Sequence, residues 1–66
     1  MMQGKVKWFN DDKGFGFIVS EGQEYFAHFK EIRCDGFKSL KDNDIVEFNP
    51  AKGEKGMIAK DITRVV

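Results

Sequence analysis

The sequence predicts an all-β protein, a small barrel of five strands that is closed or nearly closed. Short runs rich in β-branched and aromatic residues alternate with turn residues at a spacing typical of small sandwiches and barrels. A sustained helix is not expected anywhere in the chain. With 66 residues, the chain makes one small domain, and a closed barrel is the arrangement that protects strand edges at this size.

The first half of the chain predicts an antiparallel meander of three strands. GKVKWFN at 4–10 alternates polar and apolar residues over its first half, and DDKG at 11–14 is a turn or short loop. FGFIVS at 15–20 is the second strand, EGQE at 21–24 has the composition of a tight hairpin, and YFAHF at 25–29 is the third strand. Such short links join antiparallel neighbours.

The segment 30–44 lacks the period-two alternation of a strand. One helical turn is expected near Glu31 to Arg33, and the dipeptide Asp35-Gly36 prevents a longer helix. We expect a monomer, with this long segment as the hinge if two copies exchange strands.

The last two strands are expected at 45–48 (IVEF) and 57–66 (MIAKDITRVV). Pro50 has no backbone donor, so the fourth strand is expected either to end there or to lie at an edge. The residues 51–56 (AKGEKG) are expected to form the turn between the two strands.

Composition restricts the class of protein and its location. Hydrophobic residues make up 41% of the chain and charged residues 33%, which indicates a globular, soluble domain. The single cysteine, Cys34, excludes an internal disulfide and fits a reducing compartment as a free thiol. No apolar run is long enough to span a membrane and no leader precedes the domain, so we expect the cytoplasm.

Several kinds of chemistry are not expected. His28 and Cys34 are the only soft ligands in the sequence, whereas a structural zinc site needs about four, so neither a metal nor another cofactor is predicted. A dinucleotide fingerprint would need a third glycine where Val19 stands, and no P-loop is present. His28 beside Glu24 or Glu31 offers a general base, but no nucleophile, metal set or cleft supports an enzyme. A small-molecule substrate is likewise not expected.

Alternation along the second and third strands places aromatic side chains on common faces. Phe15 and Phe17 share one face, and Phe26 and His28 share one face of the next strand. The opposite faces carry Gly14, Gly16 and Ile18 in one strand and Tyr25, Ala27 and Phe29 in the other.

The pattern leaves two orientations open. Either the phenylalanines are core, or they point outward and Val6, Ile18 and Ala27 fill the core. His28 favours the outward orientation, because an imidazole prefers water unless its nitrogens find partners. Tyr25 and Phe48 are assigned to the core in both cases.

Lysines are interleaved with these rings: Lys5, Lys7 and Lys13 flank Trp8, Phe15 and Phe17. Eleven basic and eleven acidic residues cancel, so any affinity for a polyanion must come from local placement and non-ionic contacts. Single-stranded nucleic acid offers both phosphates for lysines and unstacked bases for rings. A protein-interaction module that binds proline-rich peptides on the same aromatic patch is the alternative.

KGFGFI at 13–18 matches the first six positions of the RNP1 motif, with Ile18 in place of valine. RRM domains carry RNP2 before RNP1, whereas here the RNP2-like YFAHF follows it. With GKVKWFN upstream and GFKSL downstream, the sequence resembles the bacterial cold-shock protein family over nearly the whole chain, as one cold-shock domain at 1–66. The resemblance implies a five-stranded antiparallel OB-fold barrel.

The same resemblance implies a function and a set of contact residues. It implies a non-enzymatic protein that binds single-stranded RNA and DNA and acts as an RNA chaperone or cold-shock regulator. The implied binding face comprises Lys7, Trp8, Phe9, Lys13, Phe15, Phe17, Phe26, His28, Phe29 and Phe37.

Strand alternation agrees with only part of this set. It reaches Phe15, Phe17, Phe26 and His28 independently, but it puts Phe29 on the other face. One of Trp8 and Phe9 must turn inward unless the strand bends or bulges. The role of Phe37 rests on the resemblance alone.

The chain also departs from the family pattern, although not within its main aromatic set. The turn at 21–24 is about a residue short, and Ala27 replaces a larger aliphatic residue. Cys34 stands where glycine is common, Pro50 stands within the fourth strand, and KGMIA at 55–59 stands where Gly-Pro-Gln-Ala is frequent.

Overall fold

Five strands wrap into a closed barrel in the computed structural model, which describes residues 1–33, 40–54 and 56–65. The all-β class and the five-stranded barrel predicted from the sequence are confirmed. The strands are β1 Met2–Asn10, β2 Phe15–Ser20, β3 Gln23–His28, β4 Ile45–Gly53 and β5 Gly56–Arg64, and a 3₁₀ turn, Phe29–Glu31, follows β3. Cys34, Phe37 and the dipeptide Asp35-Gly36 lie outside the described residues.

The strand order around the barrel is β1-β2-β3-β5-β4, and β4 pairs back onto β1. Four of the pairings are antiparallel, whereas β3 and β5 run parallel with Phe26 opposite Ile58 and Ala27 opposite Ala59. An odd number of strands cannot alternate direction all the way round a ring. One neighbouring pair must therefore be parallel, a detail that the expected antiparallel arrangement did not include.

A two-residue turn joins β2 to β3. Ser20 pairs with Gln23, and the intervening Glu21 and Gly22 both have positive φ angles, 52° and 80°. These angles fit a type I′ turn, whose twist matches that of the flanking strands. The predicted tight hairpin is confirmed, but its turn is shorter than the expected 21–24, because Gln23 and Glu24 already belong to β3.

A bulge in β1 changes which side chains face outward. Val6 pairs with Ile18 but Trp8 pairs with Phe17, so Lys7 is an extra residue on β1. In a regular strand Val6 and Trp8 would share a face. Because of the bulge, Val6 is buried while Trp8 points outward.

The fourth strand continues past Pro50, so the turn expected at 51–56 is wrong in its first half. Pro50 pairs with Ala59 of β5, whereas the pairing of β4 with β1 ends at Phe48. Pro50 thus lies where β4 has a neighbour on one side, which is the edge position expected as the alternative to a strand end.

The core fills the barrel and matches the outward orientation of the phenylalanines. The predicted core residues Val6, Ile18, Tyr25, Ala27 and Phe48 are all buried, and they are joined by Ile32, Leu40, Val46, Ala59 and Ile62. Ser20 is the buried polar side chain of the described residues, and its hydroxyl donates to the Gln3 carbonyl at 2.8 Å.

The helical turn expected near Glu31 to Arg33 begins two residues earlier, at Phe29. The His28 side chain caps it, because His28 Nδ1 accepts a hydrogen bond from the Lys30 amide at 3.3 Å. This cap ends β3 at His28 and sets the direction of the next side chain.

Candidate nucleic-acid interface

Six aromatic side chains form a continuous surface on the outside of β1, β2 and β3 and the start of the 3₁₀ turn. We call this surface the ring face, and its members are Trp8, Phe15, Phe17, Phe26, His28 and Phe29. Trp8 and Phe29 are 36% and 40% exposed, and the other four are half-buried. None of the six belongs to the buried core.

Every ring in the face lies close to at least one other. The centroid of Trp8 lies 5.8 Å from Phe15 and 5.5 Å from Phe17, and Phe26 lies 5.6 Å and 5.8 Å from the same two rings. His28 extends the surface, at 6.2 Å from Phe26. The pairs are tilted or edge-to-face, which are favourable geometries for aromatic neighbours.

The register of β2 against β3 sets these rings side by side. Phe15 pairs with His28 and Phe17 with Phe26, while Ile18 and Ala27 on the opposite faces are 0% exposed. The interpretation of the phenylalanines as core is therefore wrong.

Phe29 joins the ring face although strand alternation predicts the opposite side. Its amide donates to the Gly14 carbonyl at 2.9 Å, and its ring lies 4.7 Å from that of His28. A Cβ at Gly14 would lie 2.7 Å from the Phe29 ring, and Gly14 has a φ of 76°. The alternation argument fails because the chain leaves β3 at His28, and the absence of a side chain at Gly14 leaves room for the ring.

Phe9 does not join the ring face. It is half-buried and packs against the core, and a Cβ at Gly16 would lie 3.0 Å from its ring. Of the pair that the sequence left undecided, Trp8 is therefore the outward residue. Phe37, the last predicted contact residue, lies outside the described residues.

The two predicted lysines differ in their surroundings. Lys7 Nζ lies 2.7 Å from the Glu24 carboxylate, with the two side chains 51% and 50% exposed. Lys13 is exposed in the β1–β2 loop, where its amide donates to Asn10 Oδ1 at 3.0 Å. Sequence reasoning did not connect Lys7 with Glu24, because that contact depends on the bulge.

A cavity of about 360 Å³ adjoins the ring face, and its wall includes Phe17 and Phe26 together with the β4–β5 hairpin. The parallel pairing of β3 with β5 brings Ile58 beside Phe26. The sequence did not predict this contact between β3 and β5, because the residue pattern of one strand does not show which distant strand will pair with it.

The clearest electrostatic perturbation in the described residues lies at Asp61. The Arg33 guanidinium donates to its carboxylate at 3.0 Å and the Asn49 amide at 3.2 Å. These hydrogen bonds, that from Arg33 first, hold the pKa of Asp61 below its ordinary value. This network ties the segment after the 3₁₀ turn to β5.

In the part of the chain that the structure describes, no group of three or more His, Cys, Asp or Glu side chains is arranged to hold a metal ion. Nor does that part contain a helix with the length and apolar character needed to cross a bilayer.

Fold and surface together define a class of protein, a small OB-fold barrel with clustered aromatic rings on one side and exposed lysines in β1 and the β1–β2 loop. The chain is similar to the solved structure of Drosophila Unr CSD456, with a TM-score of 0.79 and 27% sequence identity. The alignment covers 98% of this chain and 26% of that one, so the protein spans about a quarter of its structural neighbour.

Sequence comparisons identify the family. The model of the 'Cold-shock' DNA-binding domain matches residues 2–65. Cold shock protein CapA of Pseudomonas fragi is 59% identical over 58 residues, covering 85% of this chain and 91% of the relative. The major cold shock protein of Streptococcus pyogenes is 50% identical over 66 residues, covering 98% of each chain. This chain belongs to the cold-shock domain family, a nucleic-acid-binding family.

Proposed function

We propose that this protein binds single-stranded RNA and DNA by stacking unpaired bases on the ring face. The observation that carries the proposal is the continuity of six rings outside the core. Leaving large rings in contact with water forgoes roughly 1.5–3 kcal/mol of burial for each fully exposed side chain, so a cluster of them marks a binding surface.

Stacking and charge have different roles in this proposal. A base stacked on an aromatic side chain contributes roughly 1–3 kcal/mol whatever its identity, because every base has a π-face. Lys13, exposed two residues before Phe15 in the chain, and Lys7, next to Trp8 in the chain, would contact the phosphates. With no net charge on the protein, stacking supplies most of the affinity.

The cellular role that follows is that of an RNA chaperone or cold-shock regulator of transcription or translation in the cytoplasm. A protein that binds only unpaired strands shifts the equilibrium away from base-paired structures by mass action. This mechanism requires neither catalysis nor a cofactor, and a monomer is sufficient for it.

Titration of the intact protein with a thymidine hexamer and with a proline-rich peptide tests the proposal. Trp8 is the only tryptophan in the sequence and lies within the ring face, so its fluorescence reports ligand binding there. We expect quenching by the hexamer and no response to the peptide. The opposite result would favour a peptide-binding module.

The chaperone role needs a separate measurement. A fluorophore-labelled RNA hairpin should open at lower temperature when the protein is in excess, and the RNA should remain uncleaved on prolonged incubation. Cleavage would contradict the non-enzymatic proposal, and an unchanged melting temperature would contradict the chaperone role while leaving single-strand binding intact.

A further inference from the structure

The cavity beside the ring face is lined by aliphatic residues, glycines and a carboxylate as well as by aromatic rings. Its wall combines Phe17 and Phe26 with Met57, Ile58, Gly53 and Glu54. At about 360 Å³ it lies at the small end of the range for pockets that hold small ligands, roughly 300–1,000 Å³. Because the wall residues Phe17 and Phe26 belong to the ring face, a nucleic-acid strand stacked on the ring face would pass the opening of the cavity.

The β4–β5 hairpin leaves room in this cavity. Gly53 pairs with Gly56 on either side of the turn, and a Cβ at Gly53 would lie only 3.1 Å from the Gly56 carbonyl. Gly56 also lines the cavity and has a φ of 138°. Two residues without side chains thus form one end of the cavity.

Among the wall residues that the structure describes, Glu54 is the ionisable one, and the others are apolar or glycine. A carboxylate repels phosphate, so the backbone of a nucleic acid is not the expected occupant. A carboxylate accepts hydrogen bonds, and those to an ionised group are about twice as strong as neutral ones. The fitting occupant is therefore flat, apolar on its faces and a donor at its edge.

Nucleobases differ in what their edges offer. Cytosine, adenine and guanine carry an exocyclic amino group that donates, and guanine adds an adjacent ring N–H. Thymine and uracil have carbonyl oxygens on both sides of their single N–H, and these oxygens face a carboxylate unfavourably. Two adjacent donors suit the two oxygens of a carboxylate.

We propose that the cavity between the ring face and the β4–β5 hairpin holds one amino-bearing nucleobase, guanine in preference to the others, whose edge donates to Glu54. This inference rests on the proposed single-strand binding and adds base selectivity to it. Phe17, Phe26 and Ile58 contact the faces and sides of the base, and Glu54 distinguishes it from thymine and uracil.

Competition binding of matched oligonucleotides to the whole chain tests the inference. One ligand is a thymidine heptamer, and the other is the same heptamer with its central base changed to guanine. We expect the guanine-containing heptamer to bind at least about fivefold more tightly, equivalent to about 1 kcal/mol. Glu54→Gln should bring the affinity ratio of the two heptamers close to one.

The ratio of affinities separates recognition from general charge effects, since losing a carboxylate strengthens binding to any polyanion. Glu47→Gln is the matched control, because Glu47 is exposed on β4 outside the cavity wall. It removes the same charge and should preserve the fivefold ratio. Amide NMR shifts at Gly53 and Gly56 should respond to the guanine-containing heptamer in the native chain.

Each remaining outcome overturns a defined claim. If both heptamers bind equally to the native chain, or if the ratio survives Glu54→Gln, the base-selective cavity is wrong while single-strand binding stands. If neither heptamer binds, the proposed function and the cavity's role fall together.

Discussion

Single residues decide which aromatic side chains face the solvent. Lys7, inserted in β1, directs Trp8 outward, and the His28 cap ends β3 so that Phe29 turns onto the ring face. A ring on the outer surface therefore serves binding more than folding.

Replacing Phe15 or Phe26 with alanine should weaken binding of a thymidine hexamer about tenfold or more while the domain remains folded. Each substitution removes one stacking surface worth roughly 1–3 kcal/mol, and neither creates a cavity in the core. Fluorescence titration measures the affinity, and urea unfolding measures the stability.

The control for this prediction is Phe48→Ala. Phe48 is fully buried against Tyr25, at a centroid distance of 4.9 Å. We expect it to cost about 3–5 kcal/mol of unfolding free energy, which a domain this small cannot sustain. If Phe15→Ala or Phe26→Ala destabilises the domain as much as Phe48→Ala, and the folded fraction still binds the hexamer with unchanged affinity, the prediction is contradicted. The rings would then contribute to the core rather than to binding.

Glu24→Gln should strengthen binding about two- to fivefold. The Glu24 carboxylate forms an ion pair with Lys7 Nζ at 2.7 Å, so a phosphate must compete with Glu24 for this lysine. An exposed ion pair of this kind contributes roughly 0.2–1 kcal/mol, which sets the size of the gain. Titration at constant salt measures it.

The comparison for Glu24→Gln is Glu47→Gln, which removes one negative charge away from Lys7. Equal gains in the two variants would show that total charge, rather than release of Lys7, controls the affinity. A gain that is clearly larger for Glu24→Gln than for Glu47→Gln supports the direct competition.

At the scale of the strands, the close approach of β1 to β2 depends on Gly16. A Cβ there would lie 2.1 Å from the Trp8 carbonyl oxygen and 2.7 Å from Phe9 Cα. Both are backbone atoms, so the bulged strand would have to move.

Gly16→Ala should therefore destabilise the domain by about 3 kcal/mol, at the upper end of ordinary overpacking. For a domain of this size that corresponds to a fall in Tm of roughly 12–24 °C. Gly22→Ala is the control, because its Cβ meets nothing within 4 Å and only its φ of 80° opposes alanine. A fall for Gly16→Ala no larger than that for Gly22→Ala would contradict the steric explanation.

The elements also show what the sequence could and could not predict. Alternation in FGFIVS and YFAHF correctly separated the ring face from Ile18 and Ala27, because a strand's period fixes its two faces. The bulge at Lys7 and the turn at Phe29 arise from how strands meet, which local pattern does not contain. Pro50 misled the prediction of the fourth strand's length, since a proline remains compatible with a strand paired on one side.

Considered as a whole, the molecule has no net charge, so its affinity should depend only weakly on salt. About three phosphate contacts on a single strand predict a slope near −2 for log affinity against log salt, at about 0.7 per contact. Titrations of a thymidine hexamer across a salt series measure this slope. A slope several times steeper would mean that ion release, rather than stacking, supplies the affinity.

The parallel junction of β3 with β5 links stability to ligand binding across the whole barrel. Within the described residues, β3 and β5 are joined by two residue pairs, and the bridge between Ile32 and Ile62 follows beyond the end of β3. Parallel pairing is also slightly weaker than antiparallel pairing. Amide hydrogens beside Ala27 and Ala59 should therefore exchange with solvent sooner than those of the β2–β3 hairpin. An oligonucleotide resting on both Phe26 and Ile58 contacts the two strands at once, so its addition should slow that exchange most at this junction.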